Sequence, residues 1–124
     1  FQELILQPQS DLPHFRHFLA EIGWEIVSEE MIKEDGKFYP MMKAVRNESE
    51  KKISYTEEEA WFGPLLLREC HPVLKEYLLR ETAIREKILA GLLSAPSESA
   101  KARLAEVKEE MELIKSALKR YESI

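Results

Sequence analysis

Seven residues separate Lys101 from Lys108, and seven more separate Lys108 from Lys115. On a helix that interval returns to nearly the same face, so the three ammonium groups form one column. In an antiparallel hairpin folded about Ala95-Pro96, the column faces Leu92, Arg85 and Leu78 of the preceding helix. Arg85 is then expected beside Lys108, with no acidic counterpart across the seam where a coiled coil usually places one. Glu112 offsets Lys108 and Lys115 only from within its own helix. Arg85, Lys101, Lys108 and Lys115 are therefore the candidate docking residues, because an unrelieved basic strip suits a phosphate backbone. The plainer reading of the same column is a solvated helix edge.

Other arrangements that could do chemistry are poor. His14 and His17 are three apart on a helix, a possible metal pair, but no carboxylate or cysteine is spaced to complete the site. Cys70 and His71 are adjacent and point in different directions, which does not make a nucleophile and base. Gly36-Lys37 belongs to a turn and lacks the preceding glycines of a phosphate loop. Trp61-Phe62-Gly63-Pro64 offers aromatics that could stack on a base; burial at an interface is the more ordinary use. No residue of the chain is assigned as catalytic, cofactor-binding or metal-ligating.

The elements that position the basic column occupy the end of a 124-residue chain in which 44% of residues are hydrophobic and 33% are charged. That composition excludes a disordered chain and favours long solvated helices. The net charge of −5 argues against a general nucleic-acid binder, but it is unevenly spread. Residues 1–71 hold 8 Lys and Arg against 14 Asp and Glu, whereas residues 72–124 hold 10 against 9. Cys70 is the only cysteine, so no disulfide forms within the chain, which fits a reducing, cytoplasmic setting. No apolar run reaches the length of a membrane span.

Leu4, Ile5 and Leu6 read as a strand covered on both faces, ended by Pro8. Ser10 or Asp11 is expected to cap a helix with Pro13 in its first turn. Leu12, Phe15, Phe18, Leu19 and Ile22 fall on its apolar face, with Arg16 and Glu21 off it. Gly23 ends that helix, and a strand restarts at Trp24. Asp35-Gly36 is a two-residue hairpin signal, with a return strand from Phe38 to Val45. Pro40 is expected to cause a bulge or register change. Residues 47–56 read as a polar linker, and Thr56 before Glu57, Glu58 and Glu59 as a helix start.

Two long helices follow, from Pro72 to about Leu93 and from about Glu98 to Tyr121, broken by Ser94 to Ser97. Ala100, Leu104, Val107, Met111, Ile114, Leu118 and Tyr121 are spaced 4,3,4,3,4,3, a sustained heptad. Leu74, Tyr77, Glu81, Ile84 and Ile88 answer it on the first helix. Leu78, Leu79, Leu89, Leu92 and Leu93 lie outside that seam and are expected to pack on the rest of the molecule or on another chain.

The stretches "LILQPQSDLPHFRHFLAEIGWEIVSEEMIKEDGKFYPMMKAVR" and "FGPLLLRE" resemble the C-terminal half of the bacterial tRNA (adenine(22)-N1)-methyltransferases. The most specific pieces are Leu4 to Pro8, the Glu29 to Tyr39 hairpin and Phe62-Gly63-Pro64. The resemblance implies an α/β fold: the β-α-β-β end of a Rossmann-like class I methyltransferase sheet, followed by an antiparallel helical coiled-coil hairpin. The division expected is an α/β portion over 1–55 and a helical domain over 56–124. Leu4 to Gln7 would be the fifth strand of a seven-stranded sheet. The strands from Trp24 and Lys37 would be the sixth and seventh, with the seventh antiparallel between the other two.

The resemblance further implies that the parent binds S-adenosylmethionine and methylates tRNA through an N-terminal half that is absent here. The chain alone is then expected to be inactive and to bind no cofactor. tRNA is the implied partner, and the strand Leu4 to Gln7 or the extra leucines are expected to drive self-association. A rival reading is a non-enzymatic interaction module built on the same hairpin.

Overall fold

Asp35 and Gly36, at φ 52° and 75°, connect strands β2 (Trp24–Glu34) and β3 (Lys37–Arg46) by the two-residue turn their sequence demands. Strand β1 (Glu3–Leu6) pairs antiparallel with the other side of β3, giving the order β1-β3-β2. This is the arrangement implied for the fifth, seventh and sixth strands. Helix α1 (Leu12–Glu21) connects β1 to β2, and Gly23, at φ 82°, follows its C-terminus with its N–H on Ala20 O. The computed structural model describes residues 3–8, 11–48, 52–95 and 97–122. Ser10, Pro96 and the linker residues 49–51 lie outside the described residues.

Several local expectations are corrected. Asp11 precedes α1 in a left-handed conformation and makes no side-chain cap. The bulge of the β2–β3 ladder falls between Ile26 and Ser28, not at Pro40, which pairs in register with Met31. Proline is tolerated there because β1 ends at Leu6↔Met42, so among the described residues β3 is paired on one side only at Pro40. β1 is not covered on both faces among the described residues. Ile5 is 79% exposed, and among the described residues β1 has a partner strand on one edge only.

Two compact units are present, Phe1–Leu74 and Lys75–Ile124. In the first, Leu19, Ile26, Met42 and Ala44 form a core joined by Leu6, Leu12, Phe15, Trp24, Tyr55 and Leu65. Tyr55 Oη accepts from the Ile26 N–H at 3.1 Å and ties the linker to β2. Helices α2 (Glu57–Phe62) and α3 (Pro64–Arg68) complete the unit. Thr56 caps α2 as expected. Its hydroxyl accepts from Glu59 N–H, and the Glu59 carboxylate accepts from Thr56 N–H, a reciprocal capping box. Thr56→Ala is expected to cost about 1 kcal/mol in urea unfolding.

Arg16 is buried, against the sequence expectation, and Phe18 and Ile22 are about half exposed instead. The guanidinium lies 3.1 Å from Glu29 Oε2 and donates to Ala60 O at 2.7 Å. Glu29 also accepts from the first N–H groups of α3, Leu65 at 2.8 Å and Leu66 at 3.4 Å. One ion pair thus joins α1, β2, α2 and α3. Gly63 makes the close approach possible. At φ 98°, a Cβ built on it would stand 2.8 Å from both Glu29 carboxylate oxygens. Gly63→Ala is expected to cost about 1–3 kcal/mol in backbone strain alone. The penalty should shrink in a Glu29→Ala background, where the Cβ has room; a thermodynamic cycle of thermal unfolding measures that coupling.

The second unit holds helix α4 from Lys75 onward (α4 is Pro72–Ser94) and helix α5 (Glu98–Glu122). Leu78, Val107, Ile114, Ala117 and Tyr121 are buried in it. Leu78 is fully buried, whereas Ile84, expected in the seam, is 42% exposed; Leu79 and Leu93, expected to be covered by the rest of the molecule or by another chain, are exposed within this chain.

Candidate nucleic-acid interface

Lys101, Lys108 and Lys115 are all exposed on α5. Their Cα atoms repeat at about 10.5 Å along the axis, from the helical rise. Lys101 Nζ lies 3.7 Å from Glu98 Oε1, and Lys115 Nζ lies 3.8 Å from Glu112 Oε1. Both are solvent-exposed pairs within one helix, worth a few tenths of a kcal/mol. Lys108 makes no ion pair among the described residues.

Arg85 is placed differently from the sequence expectation. Two contacts set the register of the hairpin: Arg85 Nε donates to Glu110 Oε1 at 3.0 Å, and Lys75 Nζ lies 6.0 Å from the centroid of the Tyr121 ring. The hairpin is antiparallel, but Arg85 faces Glu110 instead of Lys108. An acidic counterpart does stand across the seam. Arg85 Nη1 also reaches Glu81 Oε1 at 3.1 Å, and its side chain is only 13% exposed. Burial opposes its charge, but hydrogen bonds and ion pairing with Glu81 and Glu110 outweigh that and push its pKa up. Arg103 extends the network to Glu106 at 3.0 Å and Glu110 at 3.6 Å. The structure thus sets Arg85 in an ion network, apart from the exposed lysine column. Sequence reasoning missed Glu110 and Arg103. The signal was present in the spacing of Arg103, Glu106 and Glu110, which share a helix face.

The remaining candidates are engaged elsewhere. His17 Nε2 lies 2.9 Å from Glu57 Oε1, and no group of three His, Cys, Asp or Glu among the described residues could hold a metal ion. Phe62 is buried beside Trp61, with ring centroids 6.3 Å apart. His71 turns away from a role with Cys70. Its Nδ1 accepts from Val73 N–H at the start of α4, so Nε2 carries the proton that faces Glu30. Hydrogen bonds from Met31 N–H and His71 hold the Glu30 carboxyl below its ordinary pKa. Its stabilisation is therefore present above the ordinary glutamate range and lost as pH falls through the lowered value. The unfolding difference between the chain and Glu30→Gln is expected at neutral pH and should vanish in acid.

The chain matches the family model described as tRNA (adenine(22)-N(1))-methyltransferase over residues 1–116. The Bacillus subtilis (strain 168) tRNA (adenine(22)-N(1))-methyltransferase is 27% identical over 120 residues, 94% of this chain and 50% of that protein. An uncharacterised protein from Listeria monocytogenes serotype 4b superposes with a TM-score of 0.87 at 29% identity, over 94% of this chain and 50% of its own. A Streptococcus pneumoniae protein solved in complex with S-adenosyl-L-methionine superposes with a TM-score of 0.73 at 26% identity, over 94% and 47%. The chain spans 39% to 50% of the length of the curated relatives it matches. No helix of the described residues is long and apolar enough to cross a membrane. With the strand order β1-β3-β2 and the helical hairpin matched along nearly its whole length, the chain belongs to the tRNA (adenine(22)-N(1))-methyltransferase family.

Proposed function

We propose that this chain is the tRNA-docking half of an enzyme that methylates N1 of an adenine in tRNA. The family match over residues 1–116 carries the reading. S-adenosylmethionine is the methyl donor of that reaction, as the ligand of the pneumococcal neighbour suggests. The residues present do not fit a donor pocket: Gly23, Gly36, Gly63 and Gly91 stand too far apart for a glycine-rich loop. No catalytic step is therefore assigned to this chain. Its contribution is positional. The sheet β1-β3-β2 closes one end of the larger α/β sheet, and α5 offers Lys101, Lys108 and Lys115 to the tRNA backbone. Arg85 serves that surface indirectly, by fixing the helix that carries it. A cytoplasmic location follows from the substrate.

The exposed Leu79, Leu93 and Ile5 favour a second reading, a module that self-associates through apolar surface. Methyl transfer separates the two. The whole protein, given a tRNA transcript and radiolabelled S-adenosylmethionine, should label an adenine at N1, and this chain alone should not. Absence of label from the whole protein, together with salt-independent association of this chain, would favour the module.

A further inference from the structure

The apolar pattern of the hairpin does not choose its own register. Along α5, Leu104, Val107, Met111, Ile114 and Leu118 repeat every three and four residues. Sliding α5 by one heptad against α4 therefore exchanges one apolar residue for another. The charged layer does not repeat. Seven residues on either side of Glu110 stand Arg103 and Ala117. A slip in one direction sets the half-buried Arg85 against Arg103, a like charge. A slip in the other sets it against Ala117, with nothing across the seam. A parallel pairing of two chains would place Arg85 beside its own copy. In the observed register Arg85 Nε meets Glu110 Oε1 at 3.0 Å, and Glu81, Arg85 and Glu110 have side chains only 13% to 18% exposed. The Lys75–Tyr121 contact lies in the same register at the other end of the arms.

We propose that the Glu81–Arg85–Glu110 layer is the register selector of the hairpin: it singles out one antiparallel alignment among several that the apolar seam would accept. Charged or polar groups set into a coiled-coil seam are best attested in this role, where they add specificity more than stability. The selection goes beyond the docking reading. It matters to any use of α5, because a slip of one heptad moves every exposed side chain about 10.5 Å along α4.

Disulfide trapping in a Cys70→Ser chain tests the proposal. Ile88→Cys with Val107→Cys reports the observed register, three residues from the Arg85–Glu110 contact on each helix. Ile88→Cys with Ala100→Cys reports the slipped one, in which Arg85 would face Arg103. With Arg85 and Glu110 present, only the first pair should cross-link. Combining Arg85→Leu and Glu110→Leu should keep the helix content and raise the slipped product about tenfold, equivalent to about 1.4 kcal/mol. Arg85→Met with Glu110→Gln, closer in shape, should do the same and serves if the leucine pair does not fold. An unchanged cross-linking pattern in a folded variant would overturn the proposal. So would an equal yield of the slipped product when Arg85 and Glu110 are intact.

Discussion

Replacing Glu29 with alanine is expected to lower the unfolding free energy by about 3–5 kcal/mol, because it strands a buried charge. The side chains of Arg16 and Glu29 are both fully excluded from solvent. Arg16 cannot shed its proton, so removing Glu29 takes away the carboxylate that neutralises it, while the Ala60 carbonyl still accepts from it. The first N–H groups of α3 lose their acceptor in the same step. Against a typical domain stability of about 5–15 kcal/mol, such a loss brings the sheet unit near unfolding. Urea titration followed by circular dichroism measures it.

The reciprocal change should behave differently. Arg16→Met leaves a carboxyl that can protonate, and burial already pushes the Glu29 pKa up despite Arg16 and the Leu65 and Leu66 amides. Removing Arg16 raises it further above the unfolded value. The Arg16→Met penalty is then full above the folded pKa and fades as pH falls toward the unfolded one. The Glu29→Ala penalty should not fade in that way. Equal pH dependence of the two variants would show that the pair is not the source of the loss.

Arg16 also shows where sequence reading stopped. Its place on α1 was legible, but its burial is decided by Glu29, 13 residues on, and by Ala60, 44 residues on. Nothing in the local pattern distinguishes such an arginine from a solvated one, and Phe18 and Ile22 look apolar enough to take the core positions it holds. The turn at Asp35-Gly36, the capping box at Thr56 and the bounds of α4 and α5 were readable because each is fixed by neighbours in sequence. Strand order was not readable from these residues and came through resemblance. The hairpin register was missed by two residues at Arg85, since the apolar repeat fits several alignments. The exposure of the lysine column needed only the heptad.

The second large effect concerns that column. Each lysine that neutralises a phosphate releases a counterion, and losing it should flatten the salt dependence of binding by about one unit of slope. The carboxylates now beside Lys101 and Lys115 do not prevent this, because the pairs are exposed and weak. Arg85 is left out of the substitution, since changing it would disturb the register as well as the charge. Lys101→Ala, Lys108→Ala and Lys115→Ala are all on the solvent face of α5, so stability should move little.

The most direct measurement is filter binding of tRNA to the whole protein over a salt series, with and without those three substitutions. The docking account predicts affinity about tenfold or more weaker at low salt, a slope shallower by about 2–3, and unchanged affinity for S-adenosylmethionine. Identical tRNA affinity and identical slope in the two proteins would contradict it.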